Sequence, residues 1–147
     1  MSARKNPAPW KGTTTASTPR VLLADDQEEM VQTVFLMLRD EFDVIGTAED
    51  GTLAVELATR LAPDVLVLDV SMPLLNGIEA AGRLKELGSH AKVIFLTVHA
   101  DPEFVEAAFS VGALGYVLKP SLATDLVPAI RAVVQGDIFV SPSMRLH

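Results

Sequence analysis

Five polar residues stand at the ends of four apolar runs. Asp25 and Asp26 follow VLLA, Asp69 follows VLVL, Thr97 follows VIFL and Lys119 follows YVL. If the runs are parallel strands of one sheet, their carboxyl ends bring three carboxylates, a hydroxyl and an ammonium to one edge. That edge is where open α/β sheets hold their ligands. Three crowded carboxylates repel and raise one another's pKa, and a divalent cation relieves the repulsion. Mg2+ favours oxygen ligands in octahedral geometry and binds through one or two carboxylates together with phosphate. Mg2+, or Mn2+ in its place, is therefore the expected cofactor. With Lys119 included, the formal charges of three aspartates, one divalent ion and one ammonium cancel. A site balanced in this way can take up a phosphoryl group, and Asp69 can be the nucleophile that becomes an aspartyl phosphate.

Each residue also has a plainer reading. Asp25 and Asp26 precede an amphipathic stretch, where acids cap helices and suit the dipole. Asp69 comes before a Met72-Pro73 turn, and Asp is a common turn residue. Thr97 is a good strand residue, and Lys119 fits a solvated strand end. The weight lies in their coincidence at successive strand ends.

The elements that must position them alternate. Short apolar runs occupy 21–24, 44–45, 65–68, 93–96 and 116–118, and the continuous ones suit strands covered on both faces. Between them, apolar residues recur at helical spacing, as in Met30, Val34, Met37 and Leu38, or Ala54, Leu57, Ala58 and Leu61. Three further stretches run from Gly77, around Phe104 to Val111, and around Leu122 to Val133. Pro128 would break an interior turn, so the last helix is predicted to start near Thr124, its cap. The pattern is β-α five times over, an α/β doubly wound, five-stranded parallel sheet.

Length and charge set the bounds. The chain has 147 residues, a net charge of −7 and no cysteine. This excludes disulfides, thiolate zinc sites and a cysteine nucleophile. Residues 1–20 hold four basic residues and no acid, so the overall −7 becomes −11 over 21–147. That surface argues against direct nucleic-acid binding by this segment. Residues 1–19 read as a flexible tail, 20–140 as one folded domain, and 141–147 as a tail or the start of a linker. No apolar run is long enough to span a bilayer and no secretory h-region is present, so a cytoplasmic location is expected.

The motifs VLLADDQEEM, VLVLDVSMPLLNGIEA, VIFLTVHAD and GALGYVLKP resemble, in order and spacing, the receiver domain of bacterial two-component response regulators. The likeness covers about residues 20–140. TVHADPEFVEAA and AIRAVVQGDIFVSP resemble the NarL/FixJ-like (LuxR-type) subgroup, which usually carries a C-terminal helix-turn-helix domain. The resemblance implies a flavodoxin-like strand order 2-1-3-4-5 and a phosphorylation switch rather than a metabolic enzyme. It implies that Asp69 accepts phosphate from a sensor histidine kinase. Asp26, Asp69 and the backbone carbonyl of Ser71 would ligate the metal, with Asp25 acting through water. Lys119 would contact the phosphoryl group, followed by a cis bond to Pro120. Thr97 and Tyr116 would be the coupled switch pair, and Ser71 and His99 would tune hydrolysis. Val98 departs from the small residue usual after the threonine and narrows access to the cleft.

The face around the fourth helix, fifth strand and fifth helix would then meet a second copy or an output domain, with Phe104, Phe109 and Val127 contributing. The output implied is transcriptional, with DNA reached only through residues beyond His147. A stand-alone receiver working by protein–protein contact or phosphorelay is the first alternative. A haloacid-dehalogenase-type phosphatase would carry its nucleophile in a first Asp-x-Asp motif, whereas here an adjacent pair comes first. A flavodoxin-like nucleotide or flavin carrier would need a Gly-rich loop where DDQEEM stands. A scaffold without chemistry is not required, since every charged group of the site is present.

Overall fold

The alternation of apolar runs and amphipathic stretches folds as a parallel sheet flanked by helices. The structure is a computed structural model that describes residues 18–146, so most of the expected 1–19 tail lies outside the described residues. In chain order the main elements are β1 (Arg20–Ala24), α1 (Glu28–Leu38), β2 (Asp43–Ala48), α2 (Gly51–Leu61) and β3 (Val65–Leu68). They continue with α3 (Gly77–Glu86), β4 (Lys92–Thr97), α4 (Pro102–Ser110), β5 (Gly115–Leu118), α5 (Leu122–Val134) and β6 (Phe139–Val140). All strand pairs are parallel, in the order β2-β1-β3-β4-β5-β6. The expected order 2-1-3-4-5 is present, and β6 extends it by one short strand. Two residues are too few to show a period, so β6 could not be read from the sequence.

Because side chains alternate across a strand, each continuous apolar run feeds both faces of the sheet. Leu22, Leu66, Leu68, Phe95 and Tyr116 point to one side, against the alanines of α2, α3 and α4. Val21, Leu23, Val65, Ile94 and Val117 point to the other, against α1 and α5. The interior strands β1 and β3 are buried on both faces, which is why their sequences lack a polar alternation.

The start of α5 differs from the expectation. It begins at Leu122 rather than near Thr124, and Pro128 lies inside it. Thr124 does not cap; its one hydroxyl proton is shared between Ser121 O at 3.2 Å and Asp125 Oδ1 at 3.0 Å. An interior proline costs about 3 kcal/mol. Burial of Leu122, Leu126, Ala129, Ile130 and Val133 outweighs it, at about 1.5–3 kcal/mol for each large side chain. Pro128 itself is on the exposed side, where water can reach the carbonyl it leaves unpaired.

Candidate functional site

Sheet register brings the acidic residues together. Ala24 pairs with Leu68, and the Asp69 N–H donates to Ala24 O at 2.9 Å, so Asp25 and Asp69 leave neighbouring strand ends. Oxygens of Asp25, Asp26 and Asp69 lie within 4.8 Å of one another. Asp25 and Asp69 are buried, whereas Asp26 is exposed at the rim. Lys119 reaches across the end of β4 to both inner carboxylates, 2.9 Å from Asp25 Oδ2 and 3.0 Å from Asp69 Oδ2.

The plainer reading holds for Thr97, which ends β4, and in part for Asp69, but not for the other residues. Neither Asp25 nor Asp26 caps α1; its cap position is Gln27, whose side chain makes no capping bond. Asp25 Oδ1 instead accepts from the Gln27 N–H at 2.8 Å, leaving Oδ2 for Lys119. Asp69 does make a turn contact, Ser71 N–H to Oδ1 at 3.3 Å, but its other oxygen is held by Lys119. The Lys119 side chain is 8% exposed, so it is not a solvated strand end.

Burial pushes the Asp69 carboxyl above its ordinary range, outweighing the hydrogen bond and charge of Lys119, and the Asp25 charge pushes the same way. Burial alone would lower the Lys119 ammonium, but hydrogen bonds to Asp25 and Asp69 more than offset it and the net direction is up. The donor set is all hard oxygen and fits a hard divalent cation. A larger cleft, about 630 Å³, lies at the opposite edge of the sheet among Ala58, Pro63, Leu87 and Val134. It gathers no carboxylate cluster, so chemistry rather than size selects the site. The cleft beside the aspartates, lined by Asp25, Asp26, Glu28 and Glu49 among others, is about 310 Å³.

The bond from Lys119 to Pro120 is not cis, because the described residues contain no cis peptide. Lys119–Ser121 instead form a 3-10 turn leading into α5. Pro120 sits early in that turn, where a missing N–H is harmless and its fixed φ already suits the helix.

His99 ties the remaining candidates together. Its N–H donates to Thr97 Oγ1 at 3.3 Å, and its carbonyl accepts from the Tyr116 hydroxyl at 2.6 Å. Its ring shares a 2.7 Å hydrogen bond with Ser71 Oγ and stacks on Phe104 with centroids 4.4 Å apart. Thr97 and Tyr116 are both fully buried, so the tyrosine ring is already inward with its hydroxyl bonded. Ser71 and His99, both expected to tune hydrolysis, touch each other. Their contact spans 28 positions and left no signal in the sequence.

Burial pushes the Tyr116 hydroxyl up to about 12, assisted by the nearby charges of Asp101 and Asp69. Tyr116 is the sole tyrosine, so a spectrophotometric titration reads it alone. Ionisation is expected near pH 12 in the folded protein and near the ordinary value of 10 in urea. A raised folded pKa favours the protonated form. Its contribution to stability is therefore complete below pH 10 and lost as the pH rises towards 12. Ionisation near 10 in the folded state would show that the inward, bonded tyrosine is not the solution conformation.

A doubly wound sheet with acidic residues and a lysine at its strand ends is the architecture of a signalling phosphoacceptor rather than of a classical enzyme. Residues 21–131 match the response regulator receiver domain family, and the chain belongs to that family. It is 41% identical over 120 residues to the transcriptional regulatory protein LiaR of Bacillus subtilis, covering 80% of this chain and 57% of that protein. With DegU of Brevibacillus brevis it shares 35% over 127 residues, covering 85% of this chain and 54% of the relative. The chain thus spans a little over half the length of these regulators. A LuxR-family response regulator from Aurantimonas superposes with a TM-score of 0.84 at 32% identity, covering 88% of this chain and 94% of the other. The receiver domain of NarL from Mycobacterium tuberculosis gives 0.79 at 31%, covering 82% and 99%. The expected NarL/LuxR-type kinship is borne out. No helix among the described residues is long and apolar enough to cross a membrane.

Proposed function

We propose that the chain is a phosphorylation-controlled switch in which Asp69 accepts a phosphoryl group from a phosphohistidine of a sensor kinase. The observation that carries this reading is the Lys119 ammonium held between Asp25 and Asp69, beside the exposed Asp26. An Asp69 oxygen attacks phosphorus as the bond to the kinase imidazole breaks. Lys119 then exchanges its carboxylate partner for a phosphoryl oxygen. Asp26, Asp69 and the Ser71 carbonyl would hold Mg2+ directly, with Asp25 behind them through water. Bound there, the ion neutralises the carboxylates and the phosphoryl oxygens.

The new charge recruits the Thr97 hydroxyl, which turns from the His99 N–H towards a phosphoryl oxygen. Tyr116 stays anchored on the His99 carbonyl, so movement of this loop is felt on the face of α4 and α5. Because β6 pairs with β5, the surface offered to a second copy consists of α4, α5 and the β6 edge. The Ser71–His99 hydrogen bond bridges the loops after β3 and β4 and screens the approach of hydrolytic water to Asp69. The kinship with transcriptional regulators supports an output in transcription, carried by a DNA-binding domain outside this chain.

Incubation with acetyl phosphate and Mg2+ tests the acceptor. Intact mass should rise by one phosphoryl group in the wild type and by none in Asp69→Asn. Equal labelling of both would place the acceptor elsewhere. Fast turnover of a small phosphoester would favour a phosphatase.

A further inference from the structure

Ser141 is fully buried where the chain leaves β6, although it lies at the edge of the sheet. Its Oγ accepts from the Leu118 N–H at 3.0 Å and donates to Asp125 Oδ2 at 2.8 Å. The Ser141 N–H donates to Tyr116 O at 2.9 Å. Asp125, 8% exposed on the inward side of α5, also accepts from Thr124 Oγ1 at 3.0 Å. A carboxyl buried on an otherwise apolar helix face is costly unless its hydrogen bonds are complete. Docking β6 by packing alone would not need one. Through Ser141, however, the Asp125 carboxyl reaches the end of β5. Leu118 pairs in register with Thr97 on one side, meets Ser141 on the other, and is followed directly by Lys119.

We propose that Asp125 and Ser141 form a pin that positions Lys119 for the phosphoacceptor site, so that docking of the 139–141 segment and readiness of the site are one linked equilibrium. The proposal rests on Asp69 being the acceptor. The pin fixes the peptide from which Lys119 projects; without it the ammonium loses its alignment with Asp25 and Asp69. Linkage is reciprocal, so filling the site must tighten the pin.

Two measurements test it on the full chain. The first is the rate of phosphoryl incorporation from acetyl phosphate with Mg2+. A hydrogen bond of about 1 kcal/mol corresponds to roughly a fivefold loss in Ser141→Ala. Asp125→Asn should stay near the wild-type rate, because its amide oxygen can face Ser141 while its NH2 donates to Thr124 Oγ1. Val133→Ala, a core truncation on the same helix that removes none of these hydrogen bonds, should melt lower yet react at the wild-type rate. The second is amide exchange at Leu118 and Ser141, which should slow by about fivefold when Mg2+ and beryllofluoride fill the site, and not in Ser141→Ala. Wild-type kinetics in Ser141→Ala, equal slowing in Val133→Ala, or unchanged protection would each overturn the pin. Labelling of Asp69→Asn would instead overturn the underlying acceptor assignment.

Discussion

Replacing Lys119 by alanine is expected to slow phosphoryl incorporation from acetyl phosphate by about a hundredfold, the usual effect of removing one preorganised charge from a developing oxyanion. The same substitution should tighten Mg2+ binding. Three carboxylates and one ammonium carry a formal −2, and without Lys119 they carry −3, so the attraction for a divalent cation grows. The opposite movement of rate and metal affinity separates this role from simple misfolding, which would weaken both. Without the ion, Asp25 and Asp69 would face each other buried and unpaired, and the Asp69 carboxyl would rise further. For an acid whose folded pKa is raised, stability is greatest at low pH and is lost as the pH rises through that value. The stability deficit of Lys119→Ala relative to the wild type should therefore shrink on acidification and on addition of Mg2+. Calorimetric titration with MgCl2, together with melts at pH 5 and pH 7.5, measures these effects. Weaker Mg2+ binding in the variant would refute the charge balance on which the site reading depends.

That balance was legible because the polar residues end runs whose lack of alternation marks buried parallel strands. Val65–Leu68 and Asp69 together announce both a centre strand and the residue at its open end. What could not be read depends on contacts distant in sequence. The His99 backbone meets Tyr116 across 17 positions and its ring meets Ser71 across 28, and neither spacing has a period. Local rules also misled where tertiary burial outweighed them. Pro128 argued for a late start to α5, yet the helix begins at Leu122 because its buried face is worth more than one backbone bond. The cis bond to Pro120 implied by the resemblance is absent as well, since a 3-10 turn accepts the trans form. The charge at Asp125 gave no hint of its contact with Ser141, because that serine lies in a segment that reads as a tail.

Gly77→Ala is expected to damage both stability and chemistry, although alanine is the better helix former. Gly77 opens α3, and a Cβ placed on it would lie 2.0 Å from the backbone oxygen of Asp69 and 2.9 Å from the Val70 Cα. These are backbone atoms, so no rotamer change relieves the clash. The loop cannot yield outward either. The Gly77 N–H donates to Val70 O at 2.7 Å, and Asn76 and Glu79 close a reciprocal capping box at the helix start. On its other side, Leu75 O lies where a Cβ on Gly51 would fall, only 1.7 Å away. The strain must therefore move the Asp69 peptide itself. Overpacking of this kind costs about 3 kcal/mol, or roughly 10 °C in melting temperature for a domain of this size. If Asp69 is the acceptor, as proposed, a displacement of about 1 Å there costs on the order of a hundredfold in rate. Gly82→Ala on the same helix is the internal control. Its Cβ would meet Val111 Cγ1 at an ordinary 3.7 Å, so it should gain about 0.5–1 kcal/mol from helix propensity and react normally. Opposite signs for two Gly→Ala changes five residues apart would show that the first glycine is set by the close approach of α3 to the Asp69 backbone. Equal melting temperatures would show that the loop can relax away from the acceptor.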